Sequence, residues 1–358
     1  MTPSHTSSTL DVRQRRAWSA LLVLLLVATT LILAACGGDD GDDEPAAAAD
    51  APAVTNGPGG FPATVRGAFG TATIDEAPPR VVTIGWSDAD VALALGVKPV
   101  GTFDIGPDFP KGVGPWAAER FGDEKPKLLK FTDGLPLEEI IKLDPDLILA
   151  VQSGVTAEDY AKLEQVAPTV TYLQGRGAYL TPWKEQAELI GAALGKPEEA
   201  QALIEQTDAA VDQAREDHPD LQDKTFSFVA ARDASQLSVY APNDLRVQFM
   251  ESIGMQLSEG QRKIVAGEQF FVDLSFERIG ELQADALIAW FNTPAVRKTF
   301  TSQPGFQAFD TVENGGFAPL DIIQAQAQGA PTPLSIPWAI ENVTPVIEKA
   351  VAGEGPTS

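Results

Sequence analysis

The sequence is poor in cysteine, histidine and positive charge. Its 358 residues contain one cysteine and two histidines, so no disulfide bond can form within the chain. The 26 lysines and arginines are outnumbered by 50 aspartates and glutamates, which gives a formal net charge of −24. A field of that sign repels nucleic acid and disfavours anionic surfaces. An anionic ligand would therefore need a locally basic pocket, and stability must come from the apolar core that a hydrophobic content of 44% allows.

Signatures of nucleotide, metal and hydrolase chemistry are also missing. No GxGxxG follows the apolar run VVTIGW, and the sequence has no HExxH, no GxSxG and no GxxxxGK followed by Ser or Thr. Protein sites for zinc are usually built from several His and Cys ligands, whereas His218 is the one histidine after His5. We therefore expect no cofactor, no metal ligands and no enzyme activity. An exported hydrolase that uses paired carboxylates stays open, because Asp and Glu are plentiful.

Residues 1–35 predict an export signal. Three arginines within residues 13–16 precede an apolar run over residues 20–33, and LAAC follows. The pattern resembles the lipobox of bacterial lipoproteins, which implies that Cys36 carries the lipid and becomes the new N-terminus. A signal anchor that spans the membrane is the alternative, because residues 18–35 are about long enough to cross a bilayer.

Composition then divides the rest of the chain. Residues 36–65 are rich in Asp, Ala, Pro and Gly without apolar periodicity, which predicts a flexible tether. From there short apolar runs alternate with helical patterns in two series, which predicts an N-terminal α/β lobe over 66–195 and a C-terminal α/β lobe over 219–358. Between them, residues 196–218 predict one bridging helix about 30 Å long. The fold class is therefore α/β: two Rossmann-like lobes with mostly parallel sheets, joined by a single long helix.

One helix-to-strand pattern occurs twice in the sequence, as LEEIIKLDPDLILAV (137–151) and FERIGELQADALIAWF (276–291). Together with PPRVVTIGWSDADVALALGVKPVG (78–101) and PLSIPWAIENVTPVIEKAV (333–351), these segments resemble the substrate-binding proteins of ABC importers. The resemblance is to the branch with a rigid helix between its lobes. It implies a monomeric binder, lipid-anchored outside the cytoplasmic membrane, which carries a ferric siderophore to an ABC permease and its ATPase. Haem or cobalamin is the alternative cargo on the same scaffold.

The same resemblance implies a docking role for two glutamates. In that family one surface Glu per lobe pairs with arginines of the permease, and the matching positions are Glu138 in LEEI and Glu277 in FERI. Two carboxylates on a rigid body would fix its orientation on a two-fold symmetric partner. The alternative is that each Glu only complements the dipole of its helix.

Loops after the carboxyl ends of the predicted strands are the expected ligand site, since open parallel sheets bind ligands there. These loops are rich in aromatic residues and arginines, which suit a large, flat, partly anionic chelate. Three arginines are expected to offset the negative field of the chain. The candidate ligand-binding residues are Trp86, Phe103, Trp116, Arg176, Tyr179, Trp183, Arg232, Tyr240, Arg297 and Trp338.

Overall fold

The computed structural model describes residues 53–232, 236–265 and 269–357. The predicted export signal, the lipidation site Cys36 and the tether up to residue 52 lie outside the described residues. No helix within these ranges is both long and apolar enough to cross a bilayer.

The first folded unit is a three-stranded antiparallel sheet of β1 (Val54–Asn56), β2 (Ala63–Arg66) and β3 (Thr71–Ile74). Alternate residues of β2 and β3 point inward, and their buried side chains pack on a helix of the N-terminal lobe, α5 (Trp183–Ala193). The predicted tether over residues 36–65 is therefore too long, because its last part forms β1 and most of β2. Strands this short carry too little periodicity to be distinguished from a linker.

Five parallel strands form the sheet of the N-terminal lobe, in the order β6-β5-β4-β7-β8. Runs such as VVT and LILA are buried along their whole length, as expected for a parallel sheet covered on both faces. The strand order reverses between β4 and β7, which makes this the topological switch point. The elements are β4 (Val81–Thr83), α1 (Asp88–Ala94), β5 (Gly101–Phe103), α2 (Pro115–Ala118), β6 (Lys127–Leu129), α3 (Leu137–Lys142), β7 (Leu147–Ala150), α4 (Ala157–Leu163), β8 (Thr169–Thr171) and α5.

A single long helix, α6 (Pro197–Asp217), follows the N-terminal lobe where the bridging helix was predicted. Proline at its first position costs no hydrogen bond, and two glutamates in its first turn complement the helix dipole. Its buried residues include Ala200, Ile204 and Thr207, which share one face at helical spacing. The helix packs against α5 before it and against a C-terminal helix, α13 (Ser335–Asn342).

The sheet of the C-terminal lobe is mixed. Its path is β12-β10-β9-β13-β14, and β11 pairs with β9. Strands β9, β11, β13 and β14 are parallel, whereas β10 runs antiparallel to both β9 and β12. Only four residues separate β9 from β10, too few for the crossover that parallel pairing requires. The strands are β9 (Thr225–Ala231), β10 (Gln236–Tyr240), β11 (Gln256–Leu257), β12 (Phe271–Ser275), β13 (Ala286–Phe291) and β14 (Phe317–Leu320).

Two helical segments of this lobe differ from the sequence pattern. FERIGEL forms a 3-10 helix, Phe276–Leu282, and the segment PLSIPWAIENVTPVIEKAV forms two helices that meet at Val343 instead of one continuous helix. Pro345 lies in the first turn of the second piece, where it needs no hydrogen-bond partner. The helices are α7 (Leu245–Ser252), α8 (Glu259–Ile264), α9 (Pro294–Thr301), α10 (Pro304–Gln307), α11 (Asp310–Glu313), α12 (Ile322–Gly329), α13 and α14 (Thr344–Val351).

Each sheet has its own apolar core. The two clusters around the N-terminal sheet contain residues from 63 to 204, and the two around the C-terminal sheet contain residues from 221 to 350. The molecule is therefore two-lobed, with a separate hydrophobic interior on either side of the long helix.

Candidate functional site

A cavity of about 480 Å³ is lined by both lobes. In the N-terminal lobe its walls come from the loops after β4, β5, β7 and β8, and β4 and β7 are the pair of strands at the switch point. In the C-terminal lobe they come from the ends of β9, β10 and β13 and from α12. The lining residues are Trp86, Ile105, Phe109, Gln152, Tyr179, Arg232, Tyr240, Asp244, Arg246, Phe270, Trp290, Asn292, Ile322, Ala325, Gln326, Gly329 and Ala330.

A buried carboxylate holds the N-terminal wall in place. Asp88 is fully buried and accepts hydrogen bonds from the backbone N–H groups of Val151 (2.8 Å) and Gln152 (3.0 Å) and from Nε2 of Gln186 (2.7 Å). Burial raises the pKa of Asp88, and these hydrogen bonds oppose the shift. The loops after β4 and β7 are thereby joined, and a side chain at Gly85 would collide with the Asp88 carboxylate.

Gln152 then positions an aromatic residue. Its Nε2 donates to the backbone carbonyl of Tyr179 (2.9 Å), and its Oε1 accepts from the backbone N–H of Thr181 (3.2 Å). Tyr179 has a left-handed backbone with φ of 63°, which is unusual for a bulky residue. Such strain is commonly found at binding sites, where the surroundings enforce it.

Two exposed aromatic rings face the cavity from the N-terminal lobe. Trp86 and Tyr179 are 37% and 39% exposed, which is high for large apolar side chains. Their ring centroids lie 6.2 Å apart in an edge-to-face arrangement. Phe103 supports Trp86 at 5.6 Å and is not itself part of the lining. A flat ligand could therefore stack on the face of one of these rings and meet the other edge-on without rearrangement of the wall.

The opposite wall has a buried cation. The guanidinium of Arg246 lies over the Tyr240 ring, 4.5 Å from its centroid, and bonds to the Asp244 carboxylate at 3.1 Å. The Tyr240 hydroxyl accepts from Nε1 of Trp290 at 3.1 Å. Burial raises the pKa of Tyr240, and it also raises that of Asp244 against the opposing effect of Arg246. Nε of Arg246 is buried without a hydrogen-bond partner among the described residues.

Arg232 provides a second, more exposed cation. It follows β9 and lies over the ring of Phe271, 4.9 Å from the centroid. Within the described residues no carboxylate lies within ion-pair distance of it.

Six of the ten candidate residues do not line this cavity. Phe103 stands behind Trp86, and Trp116 and Trp338 contact each other at 5.2 Å where the two lobes meet. Trp183 lines a separate apolar pocket of about 300 Å³. Arg176 bonds to Glu185 at 2.8 Å, and Arg297 is exposed on α9. The structure brings together Trp86, Tyr179, Arg232 and Tyr240.

Several lining residues were not among the candidates. Arg246 and Asp244 lie at the start of α7, in a loop that the strand order already placed near the ligand. The signal that could have found them is an Asp at a helix N-cap two residues before an Arg. Trp290 lies inside a strand and gives no such signal.

The two predicted docking glutamates are on the surface. Glu138 lies in the first turn of α3 with its side chain 92% exposed, and Lys142 is 4.0 Å away. Glu277 is exposed in the first turn of the 3-10 helix, at the edge of a groove of about 500 Å³. That groove belongs to one lobe and is open, whereas the cavity draws on both lobes.

The described residues contain no cluster of three or more His, Cys, Asp or Glu that could bind a metal ion. His218 is bonded through Nδ1 to Glu348 at 2.6 Å and does not line the cavity.

Comparison with known proteins identifies the family. A family model described as periplasmic binding protein matches residues 81–321, which include most of both lobes and all but a few residues of the cavity. The chain belongs to this periplasmic binding protein family. Its switch-point cavity agrees with the position at which open α/β sheets bind ligands.

This periplasmic binding protein is similar to named iron-chelate binders. The Fe(3+) dicitrate-binding periplasmic protein FecB of Escherichia coli is 35% identical over 153 residues, which are 41% of this chain and 47% of FecB. The chain thus aligns with about half of FecB. The probable siderophore-binding lipoprotein YfiY of Bacillus subtilis is 27% identical over 63% of this chain and 67% of YfiY.

A solved structure extends the similarity to three dimensions. The Streptococcus pneumoniae TIGR4 protein PiaA in complex with ferrichrome superposes with a TM-score of 0.70 at 30% identity. The match covers 81% of this chain and 99% of PiaA. These relatives are named as binding or substrate-binding proteins of iron uptake, which agrees with the family expected from the repeated helix-to-strand pattern.

Proposed function

We propose that this periplasmic binding protein captures a ferric siderophore between its lobes and delivers it to an ABC permease. The observation that carries the proposal is the cavity itself, in which both lobes present aromatic rings to one space and the C-terminal lobe adds the guanidinium groups of Arg232 and Arg246. Its volume of about 480 Å³ is in the range of small-molecule sites, roughly 300–1,000 Å³.

The lining favours a preformed chelate over haem. Haem iron in proteins is held by His, Cys, Met or Tyr. Among the described lining residues there is no His, Cys or Met, and the buried phenol of Tyr240 is engaged with Trp290. Tyr179 is the one other side chain of the described lining of a type that binds haem iron. A siderophore supplies all the ligands of its iron and needs only stacking and hydrogen bonding from the protein.

The residues of the lining also favour a binding protein over a hydrolase. Asp244 is the one carboxylate in the described lining, and it is bonded to Arg246. Hydrolysis by paired carboxylates needs two such groups at the scissile bond. Among the described lining residues, the exported hydrolase suggested by composition therefore has no acid–base pair.

The mode of delivery follows the pattern of the relatives. A lipid on Cys36 would hold the protein at the outer face of the cytoplasmic membrane, and the tether would let it search for ligand and permease. The loaded monomer would then dock through Glu138 and Glu277, each exposed at the start of a helical segment.

Tryptophan fluorescence tests the proposal directly. Trp86 and Trp290 line the cavity, so ferrichrome or ferric dicitrate added to the purified protein should quench the emission saturably. Chromatography of the bound chelate after incubation should recover it unchanged. Failure of every ferric chelate to quench, or recovery of a hydrolysed product, would contradict the proposal.

A further inference from the structure

The charge of the cavity is small, although its lining contains two arginines. Arg232, Asp244 and Arg246 are the charged groups of the described lining. Asp244 and Arg246 are 3.1 Å apart and cancel, which leaves Arg232 as the one cation of the described lining with no carboxylate partner among the described residues. Residues 233–235 and 266–268, outside the described residues, contain an Asp and a Glu and no basic residue. They cannot add positive charge.

A multiply charged anion is poorly matched to this site. It would have to leave water for walls that are largely aromatic, and one guanidinium can neutralise only one of its charges. Unpaired charge in a poorly hydrated site is costly. The field of the whole chain adds to the penalty, because the net charge is −24.

Arg246 can nevertheless act as a hydrogen-bond donor. Nη1 bonds to both oxygens of Asp244, at 3.3 and 3.1 Å. Nη2 is directed to Gly329, since a Cβ at that glycine would lie 2.5 Å from it, and Gly329 lines the cavity. The pair therefore presents an N–H group to the ligand without a net charge, which suits the oxygens of a neutral chelate.

We propose that the cavity selects ferric chelates of low net charge, neutral or singly anionic, and that Asp244 sets this preference by neutralising Arg246. The inference rests on the proposed function. A ferric trishydroxamate meets the requirement, because three singly charged hydroxamates balance the charge of Fe(III). A ferric triscatecholate does not, because three doubly charged catecholates leave it triply anionic.

Affinities for two probes give the first test. Ferrichrome, a neutral trishydroxamate, and ferric enterobactin, a triscatecholate, are titrated against the protein at fixed ionic strength, with Trp quenching as the readout. We expect ferrichrome to bind at least about tenfold more tightly, which corresponds to one unfavourable charge contact. Equal or tighter binding of the triscatecholate would overturn the inference while leaving siderophore binding intact. Failure of both probes and of ferric dicitrate would overturn the proposed function itself.

Asp244→Asn tests the role of the carboxylate. Asparagine keeps the N-cap of α7, where Asp244 accepts from the backbone N–H of Arg246 at 2.9 Å. The variant frees the Arg246 charge, so the affinity ratio of triscatecholate to trishydroxamate should rise about tenfold. An unchanged ratio in a folded variant would contradict the assignment.

Arg232→Gln provides an independent variant, because Arg232 is exposed and its loss does not threaten folding. Removal of this cation should lower the same ratio about tenfold. The matched control is Arg297→Gln, an exposed arginine on α9 outside the cavity, which should leave the ratio unchanged. If both arginine variants shifted the ratio equally, the effect would come from overall charge and the inference would be wrong.

Discussion

At the scale of single residues, Asp90 is a buried carboxyl group that contacts both lobes, so its protonation state bears on the contact between them. It is 4% exposed and accepts hydrogen bonds from Nε1 of Trp116 in the N-terminal lobe and from Thr332 Oγ1 in the C-terminal lobe at 3.3 Å. Burial, together with a smaller contribution from the nearby Asp88, raises its pKa to about 7 against the opposing effect of both hydrogen bonds. Neither hydrogen-bond donor titrates near neutral pH.

Asp90→Asn should make stability less dependent on pH. The pKa of Asp90 is 3.8 in the unfolded reference and about 7 in the folded protein, so its stabilising contribution is complete below 3.8 and is lost as the pH rises to 7. Relative to wild type, the variant should gain roughly 2–3 kcal/mol of unfolding free energy between pH 5 and pH 8. Urea unfolding at both pH values measures this gain. The exposed Asp108→Asn should show no such gain, and an equal Asp90→Asn effect at both pH values would disprove the shift.

Trp86→Ala should weaken ligand binding without unfolding the protein. Trp86 is 37% exposed beside Tyr179 and offers its ring to the cavity, so its loss should reduce affinity for ferrichrome about tenfold. Isothermal titration calorimetry avoids the loss of the fluorescent group. Ile141→Ala is the control, because Ile141 is a 51% exposed apolar side chain outside the cavity lining. Similar losses in the two variants would rule out a stacking role for Trp86.

The ease of predicting each site residue depended on its immediate sequence. Trp86 follows a β-branched run and Arg232 follows another, so the rule for strand ends in parallel sheets finds both. Arg176 follows a predicted strand equally well, yet Glu185, nine residues later on α5, draws it into an ion pair. Trp116 is directed to Asp90 and Trp338 instead of the cavity. Contacts with residues this far away in the sequence cannot be predicted from the local sequence pattern.

At the scale of elements, helices and buried strands were predictable because their apolar patterns are local. The helix α6 was expected over residues 196–218 and extends from Pro197 to Asp217. The direction of β10 depends on the length of the connection before it, and strands β1 to β3 depend on packing against α5. The packing against α5 is a tertiary effect, which a periodicity of two cannot convey, whereas the connection length can be read from the sequence.

Attachment of α6 to the N-terminal lobe gives a prediction at this scale. Ile204 is buried in the same apolar cluster as α5, so Ile204→Ala should lower the unfolding free energy by about 2–4 kcal/mol through loss of contacts and the cavity left behind. Gln206→Ala, two residues along on the exposed face, should change it by less than about 0.5 kcal/mol. Thermal unfolding of both variants is the measurement. A small effect at Ile204 would mean that the helix is not anchored through this face.

At the scale of the whole molecule, docking and ligand capture use different surfaces and different charges. The cavity has little net charge, whereas Glu138 and Glu277 are exposed carboxylates on α3 and on the 3-10 helix. The neighbouring Glu139 is paired with Lys127 at 2.9 Å, and Glu281 with Arg278 at 2.6 Å. Among the described residues Glu277 has no ion-pair partner, and the contact of Glu138 with Lys142 is at the 4.0 Å limit. Among the described residues, each proposed docking glutamate is thus less engaged in ion pairs than the glutamate near it.

Replacement of both docking residues by alanine should therefore separate delivery from binding. In a strain that depends on this protein for iron from ferrichrome, Glu138→Ala with Glu277→Ala should abolish uptake of labelled chelate, because charge-assisted pairs with the permease are lost in both lobes. The affinity of the purified variant for the chelate should equal that of wild type, since neither residue lines the cavity. The matched control is Glu139→Ala with Glu281→Ala, which removes the same charge from neighbouring positions. Uptake lost equally in both double variants would indicate a general field effect, and uptake retained by the first would refute docking through these glutamates.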